Sequence, residues 1–195
     1  MGIRYKLVND SVSITEPVSL AEAKAQLRID HADEDTYITA LITVARETAE
    51  TLCNRVIASQ TFTVTYDFIP SVVEIPNDPV QSIDTFTYYD SSNDPQTLVA
   101  DVGYKFLNED FNPRIVPVYG SSWPSTYSGY EKVDIAYTAG WADTTVPEPI
   151  KHAILLIIAS MHCDRKDVSL APSGLHEVPY SAKALLGRYT KRVAP

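Results

Sequence analysis

Four histidines, two cysteines and 25 acidic residues are the groups with which this 195-residue chain could do chemistry. Their spacing argues against most of it. His31, His152, His162 and His176 form no H-E-x-x-H pair or other zinc spacing. His162, Cys163 and Asp164 carry ligand-type atoms, but consecutive helical residues point in different directions and do not converge on one ion. They read instead as an interface histidine beside a buried thiol. Asp30, Asp33 and Asp35 suggest calcium, yet the glycine and terminal glutamate of an EF-hand loop are not at their offsets, so helix capping is the expected job. The seven glycines make neither G-x-G-x-x-G nor a P-loop, and Gly120-Ser121-Ser122-Trp123-Pro124 lacks the second glycine of a nucleophile elbow. A turn is expected there. No catalytic residue, metal site or cofactor is assigned, although dispersed carboxylates brought together by a fold could still form an acid–base pair.

Composition narrows the class further. With 45% hydrophobic residues the chain can build a real core, and its longest apolar run, residues 153–159, is far shorter than the roughly 18 needed to suggest a membrane span. Residues 1–6 show no apolar signal core, and Lys6 stands where myristoylation requires Ser or Thr. Cys53 and Cys163, far apart in helix-like segments, read as buried free thiols of a reducing compartment. Sixteen basic against 25 acidic residues give a net charge of −9, which disfavours gripping nucleic acid through its phosphates. The charge is unevenly placed. Residues 181–195 hold Lys183, Arg188, Lys191 and Arg192 with no acid, a local +4 that leaves −13 on the first 180. Such a tail is either a solvated terminal helix or a dock for an acidic partner or DNA.

Several elements are needed to position these groups. Ser19 and Glu22 stand at capping-box spacing before a short helix over residues 23–28. Asp33-Glu34-Asp35 offers an N-cap and first-turn acids for a helix reaching Asn54, with Ile38, Leu41, Ala45 and Leu52 on one stripe. From Ala58 the texture turns to alternation: strands are expected at 61–66, 82–89, 96–99, 104–107, 114–118 and 132–137, with prolines between them. Helix resumes at Pro147-Glu148-Pro149 and runs to Asp164; a last helix is expected over 181–189. Ala153-Ile154-Leu155-Leu156-Ile157-Ile158-Ala159 is apolar all round, so that helix must be surrounded by its own protein or completed by a neighbour. The expected fold is α+β: a helical framework from both ends of the chain (1–57 and 146–195) around an inserted antiparallel β-rich domain at 58–145. Trp123 and Trp141, beside turns, read as plugs between sheet and helices, with docking anchors as the alternative.

In order and spacing, several blocks resemble one family. Pro17-Val18-Ser19-Leu20-Ala21-Glu22-Ala23-Lys24, Leu27-Arg28-Ile29-Asp30 and Asp33-Glu34-Asp35 look like the opening of the tailed-phage head-tail connector proteins, also called adaptor or head-completion proteins. Tyr88-Tyr89-Asp90, Arg114-Ile115-Val116-Pro117, Trp123-Pro124, Tyr137-Thr138-Ala139-Gly140-Trp141 and Val146-Pro147-Glu148-Pro149-Ile150 resemble its later blocks. The likeness covers residues 16–165, and prophage and gene transfer agent relatives share it. It implies a non-enzymatic protein of the virion neck, assembled in the host cytoplasm as a dodecameric homo-oligomer ring below the portal protein. Such a ring joins capsid to tail, presents a docking surface to the next neck, stopper or tail protein, lines the DNA exit channel with transient non-specific contact to DNA, and involves no membrane. On this resemblance Lys183, Arg188, Lys191 and Arg192 are expected to meet the portal. Ile154, Leu155, Leu156 and Ile158 are the expected ring interface. The alternative is an assembly or tail-completion module that is not retained in the finished particle.

Overall fold

The computed structural model describes residues 5–11, 14–142, 145–163 and 179–191. The chain divides into two units, one formed by Met1–Ile14 with Ser59–Trp141 and the other by Thr15–Ala58 with Ala142–Pro195.

The helical unit begins where the capping box lies. Glu22 N–H donates to Ser19 Oγ at 3.2 Å while Ser19 N–H donates to the Glu22 carboxylate at 2.7 Å, opening helix α1, Leu20–Leu27. It closes on Arg28 in the left-handed region, φ 59°. Helix α2 is Asp35–Cys53, and it starts later than the acid triplet suggests. Its N-cap is Glu34, which makes no side-chain cap bond, because the carboxylates of Glu34 and Asp35 are drawn to His162 and Lys24 instead. Ile38, Leu41, Ile42, Ala45, Ala49 and Cys53 form its buried face. Helix α3, Glu148–Cys163, buries Ile150, Ala153, Ile154, Ile157 and Ile158, and packs on α1, α2 and the short α4, Tyr180–Leu186. Three surrounding helices account for much of its all-round apolarity. No described helix is long and apolar enough to cross a membrane.

The sheet unit contains a five-stranded antiparallel sheet ordered β1-β2-β8-β4-β5 and a three-stranded sheet ordered β3-β7-β6. The strands are β1 Tyr5–Asn9, β2 Gln60–Tyr66, β3 Val73–Glu74, β4 Val80–Tyr89, β5 Pro95–Thr97, β6 Tyr104–Leu107, β7 Arg114–Pro117 and β8 Val133–Ala139. Strands β2 and β8 alternate strictly: Phe62, Val64 and Tyr66 face the core with Val133, Ile135 and Tyr137, and Phe62 stacks on Tyr137 at 5.7 Å. Phe86 of β4 meets Tyr104 of β6 at 5.4 Å, so the smaller sheet packs on the buried face of the larger. The architecture is α+β, four helices with two antiparallel sheets. Residues 5–9, placed with the helical segment 1–57 by the sequence, instead extend the sheet through the register Tyr5↔Tyr66 to Asn9↔Phe62. The reason is backbone pairing with β2, a partner more than fifty residues away that local pattern does not reveal.

Candidate assembly surfaces

In the helical unit the most elaborate polar arrangement is buried beneath α2. Arg46 has a side chain only 4% exposed; its Nε donates to Glu16 at 2.9 Å and its Nη1 to Glu50 at 2.7 Å. Thr43 Oγ1 donates to the other oxygen of Glu16, and the second oxygen of Glu50 accepts the Ile57 and Ala58 N–H groups at 2.8 and 3.3 Å. Burial pushes the Glu50 carboxyl above its ordinary range, against the pull of those bonds and of Arg46. The arrangement pins the chain on both flanks of α2, at Glu16 and at residues 57–58. It is a structural tie, with one guanidinium satisfying two held carboxylates.

The proposed ring residues separate into two pairs. Ile154 and Ile158 are fully buried by helices of their own chain and have no surface left for a neighbour, whereas Leu155 and Leu156 keep part of theirs. This corrects the sequence assignment, because the face of α3 that carries Ile154 and Ile158 is already covered within the unit. Of the basic residues, Lys183 on α4 and Arg188 in the turn after it are exposed. Lys191 is half-buried, and its N–H donates to the Cys53 carbonyl at 2.8 Å, so the strip folds back onto the end of α2. Arg192 lies outside the described residues.

Groups that drew attention as chemistry have structural partners. His162 Nε2 sits 2.8 Å from Glu34 and its ring lies 6.1 Å from Tyr37. Lys24 joins Asp35 at 2.6 Å, and His31 lies 3.5 Å from Asp33. His152 is exposed, and His176 lies outside the described residues. Both cysteines are free thiols; Cys53 is buried and pushed up to about 11 by desolvation, but Cys163 is exposed, contrary to the expectation of two buried thiols. It is the final residue of α3, where the helix has run past its packed face. Among the described residues no cluster of three His, Cys, Asp or Glu is placed to hold a metal ion. Ser121 Oγ donates to the Val118 carbonyl at 2.6 Å beside Gly120 at φ 80°, the geometry of a turn.

The sheet unit presents aromatics. Trp123 lies 5.8 Å from Phe86 and donates its indole N–H to the Ser71 carbonyl at 3.1 Å, so its contacts are within this unit. Trp141 is half-buried at the unit's end. Strand β1 is exposed along its whole length and forms one edge of the larger sheet. Tyr5 tilts against Tyr66 at 5.9 Å and, with Pro70, Val72 and Glu74, lines a cavity of about 200 Å³. Sequence reasoning missed this edge. The β-favouring run Tyr5-Lys6-Leu7-Val8 was its available signal.

Residues 17–114 match the Phage gp6-like head-tail connector protein family. No curated protein matches the chain. Among solved structures, a chain in the virion of a native gene transfer agent (GTA) particle is similar at TM-score 0.79 and 20% identity over 97% of both chains. A chain from the neck of an empty GTA particle computed with C6 symmetry gives 0.77 at the same identity and coverage. One from the neck of a native GTA particle computed with C12 symmetry gives 0.66, also at 20% identity, over 94% of this chain and 98% of that one. These likenesses establish a shared fold across both units. The family match spans α1, α2 and strands β2 to β6, more than any single motif, and it follows that the chain belongs to the Phage gp6-like head-tail connector family and has a structural connector role.

Proposed function

We propose that the chain assembles as a dodecameric ring in the virion neck, seated on the portal and presenting its far side to the next neck or tail component. The family match over residues 17–114 carries this reading, and the similarity to chains of GTA necks computed with C6 and C12 symmetry supports it. The role is one of docking rather than catalysis. Leu155 and Leu156, the half-buried pair on α3, are the residues left there for a neighbouring subunit. Lys183, Arg188, Lys191 and Arg192 supply the portal contact, a basic strip on an otherwise acidic chain. The −13 carried by the first 180 residues suits a channel wall that repels phosphate, so that DNA passes without adsorbing.

Electron microscopy of the purified protein with and without its cognate portal tests the reading. A ring of added density on one portal face is the expected result. Absence of both ring and portal binding at low and moderate salt would overturn it.

A further inference from the structure

We propose that the outer edge of β1 is a strand-addition site for an extended segment of a partner protein, one with apolar residues at alternate positions and a lysine or arginine lying beside Tyr5. The register fixes which backbone groups are open. Asp10 N–H donates to the Thr61 carbonyl at 2.9 Å, and the same pairing continues through Val8↔Thr63 and Lys6↔Thr65. Bonded pairs alternate in an antiparallel ladder, so Lys6 and Val8 aim their N–H and C=O groups at β2, while Tyr5, Leu7 and Asn9 aim theirs away from the sheet. Among the described residues these outward groups accept and donate nothing.

The other sheet edges are blunted. Strand β5 is three residues long, and because Leu98 N–H donates to Phe86 and Asp90 N–H to Asp94, its outward positions are Thr97 and Pro95, which has no N–H to offer. Strand β3 has two residues, and its Glu74 carbonyl accepts the Tyr66 hydroxyl at 2.7 Å. On β6 the Tyr104 carbonyl accepts the Asp101 N–H at 2.8 Å. Strand β1 carries none of these guards: it has no proline, its pairing with β2 is unbroken, and Tyr5, Leu7 and Val8 are 52%, 38% and 39% exposed. A regular edge with apolar side chains on both faces is a template for another strand.

Side chains of an added strand fall alternately on the two faces, and there is a hollow on each at Tyr5. One, of about 200 Å³, has Tyr66 and Glu74 in its wall; the other, of about 190 Å³, has Lys6, Asp67 and Glu131. Both linings are net acidic. Glu74 has no base beside it in the first, and the second sets two carboxylates against one ammonium. Arg114 stands opposite Glu74 in the register, but its guanidinium is held by Glu109 at 2.9 and 3.1 Å. A cationic side chain therefore suits the Tyr5 end, and apolar ones suit Leu7 and Val8 beyond it. A second β1 fits less well, since antiparallel pairing centred on Leu7 would bring Asn9 and Asp10 of the copy to the acidic hollows. The site belongs to a single chain and does not depend on the ring.

Peptide binding and amide hydrogen exchange on the full-length chain test the edge. The probe is a fluorescein-labelled Lys-Val-Thr-Val-Thr-Val-Lys peptide, with a base at either end so that strand direction does not matter, beside a counterpart with Glu in place of both Lys. In the free chain the Leu7 and Asn9 amides are expected to exchange fast and those of Lys6 and Val8 slowly, and bound lysine peptide should slow Leu7 and Asn9 about tenfold or more. Leu7→Pro removes one outward N–H without touching the bonds to β2, and should weaken binding about tenfold. N-methylating the peptide at its valines and, separately, at its threonines should abolish binding for one set, a control that leaves the protein unaltered. Glu131→Lys should shift preference toward the glutamate peptide. Leu7 and Asn9 already protected in the free chain would assign the edge to a second copy and overturn the proposal. So would no binding of the lysine peptide, equal binding of both peptides, or binding that leaves those two amides fast. Portal microscopy keeps the ring reading separate: a ring on the portal with an unresponsive β1 edge removes only the site proposed here.

Discussion

Taking away the Arg46 side chain would leave Glu16 and Glu50 facing each other with no cation between them. Breaking a buried ion pair by removing one partner costs about 3–5 kcal/mol. Because both carboxylates retain some water, the loss in Arg46→Ala is expected at the low end of that range by urea unfolding. The two structurally placed glutamates respond to acid in opposite senses. Glu22 is held below the ordinary carboxyl range by bonds from Ser19, so the stability it contributes is present above the unfolded-chain pKa and is lost as pH falls through its folded value. Glu50 is raised by burial, so its ionisation weakens the fold at neutral pH and that penalty is relieved as pH falls through its folded value. NMR titration of the two carboxyls should place Glu22 below Glu50. Ser19→Ala should move Glu22 upward and cost about 0.5–2 kcal/mol through the lost cap. A thiol reagent should modify Cys163 in the native protein and reach Cys53 only on unfolding, since Cys53 is both buried and raised to about 11.

Helix α3 separates packing from assembly. Ile154→Ala, at a fully buried position, should lower unfolding stability by about 2–5 kcal/mol in a denaturant titration. Leu156→Asp, at a half-buried position, should leave a cooperatively folding chain that fails to form the ring; a folded variant that still assembles would remove Leu156 from the interface. The contrast also marks how far the sequence could be read. The capping box at Ser19 and Glu22 was legible because both partners lie within one turn, and β2 and β8 because a buried face at every second residue writes itself into the chain. Strand β1 was not, since all five of its residues are exposed and its existence depends on pairing with β2. Strand β3 is two residues long and is defined by β7 rather than by its own pattern. At α3, composition announced an apolar helix but not which residues its own chain covers. Ile154 and Ile158 therefore stood beside Leu155 and Leu156 until the packing of α1, α2 and α4 distinguished them.

Across the molecule, charge is the property most open to test. Arg188→Glu should weaken portal binding, with an effect that shrinks as salt rises; binding that is unchanged at every ionic strength would detach the basic strip from the portal. The order β1-β2-β8-β4-β5 has a further implication, for synthesis. Strand β8 lies between β2 and β4, which pair with it and not with one another, and it is the last strand of the sheet to be made. Until residues 133–139 have left the ribosome, the nascent chain holds the β1–β2 and β4–β5 pairs with no strand to join them, and their inner edges stay open. The helical unit waits as well, because α3 follows β8 in the chain. Maturation of both units is thus concentrated at the end of translation, and a product interrupted before Val133 should be recovered as aggregate rather than as a folded fragment.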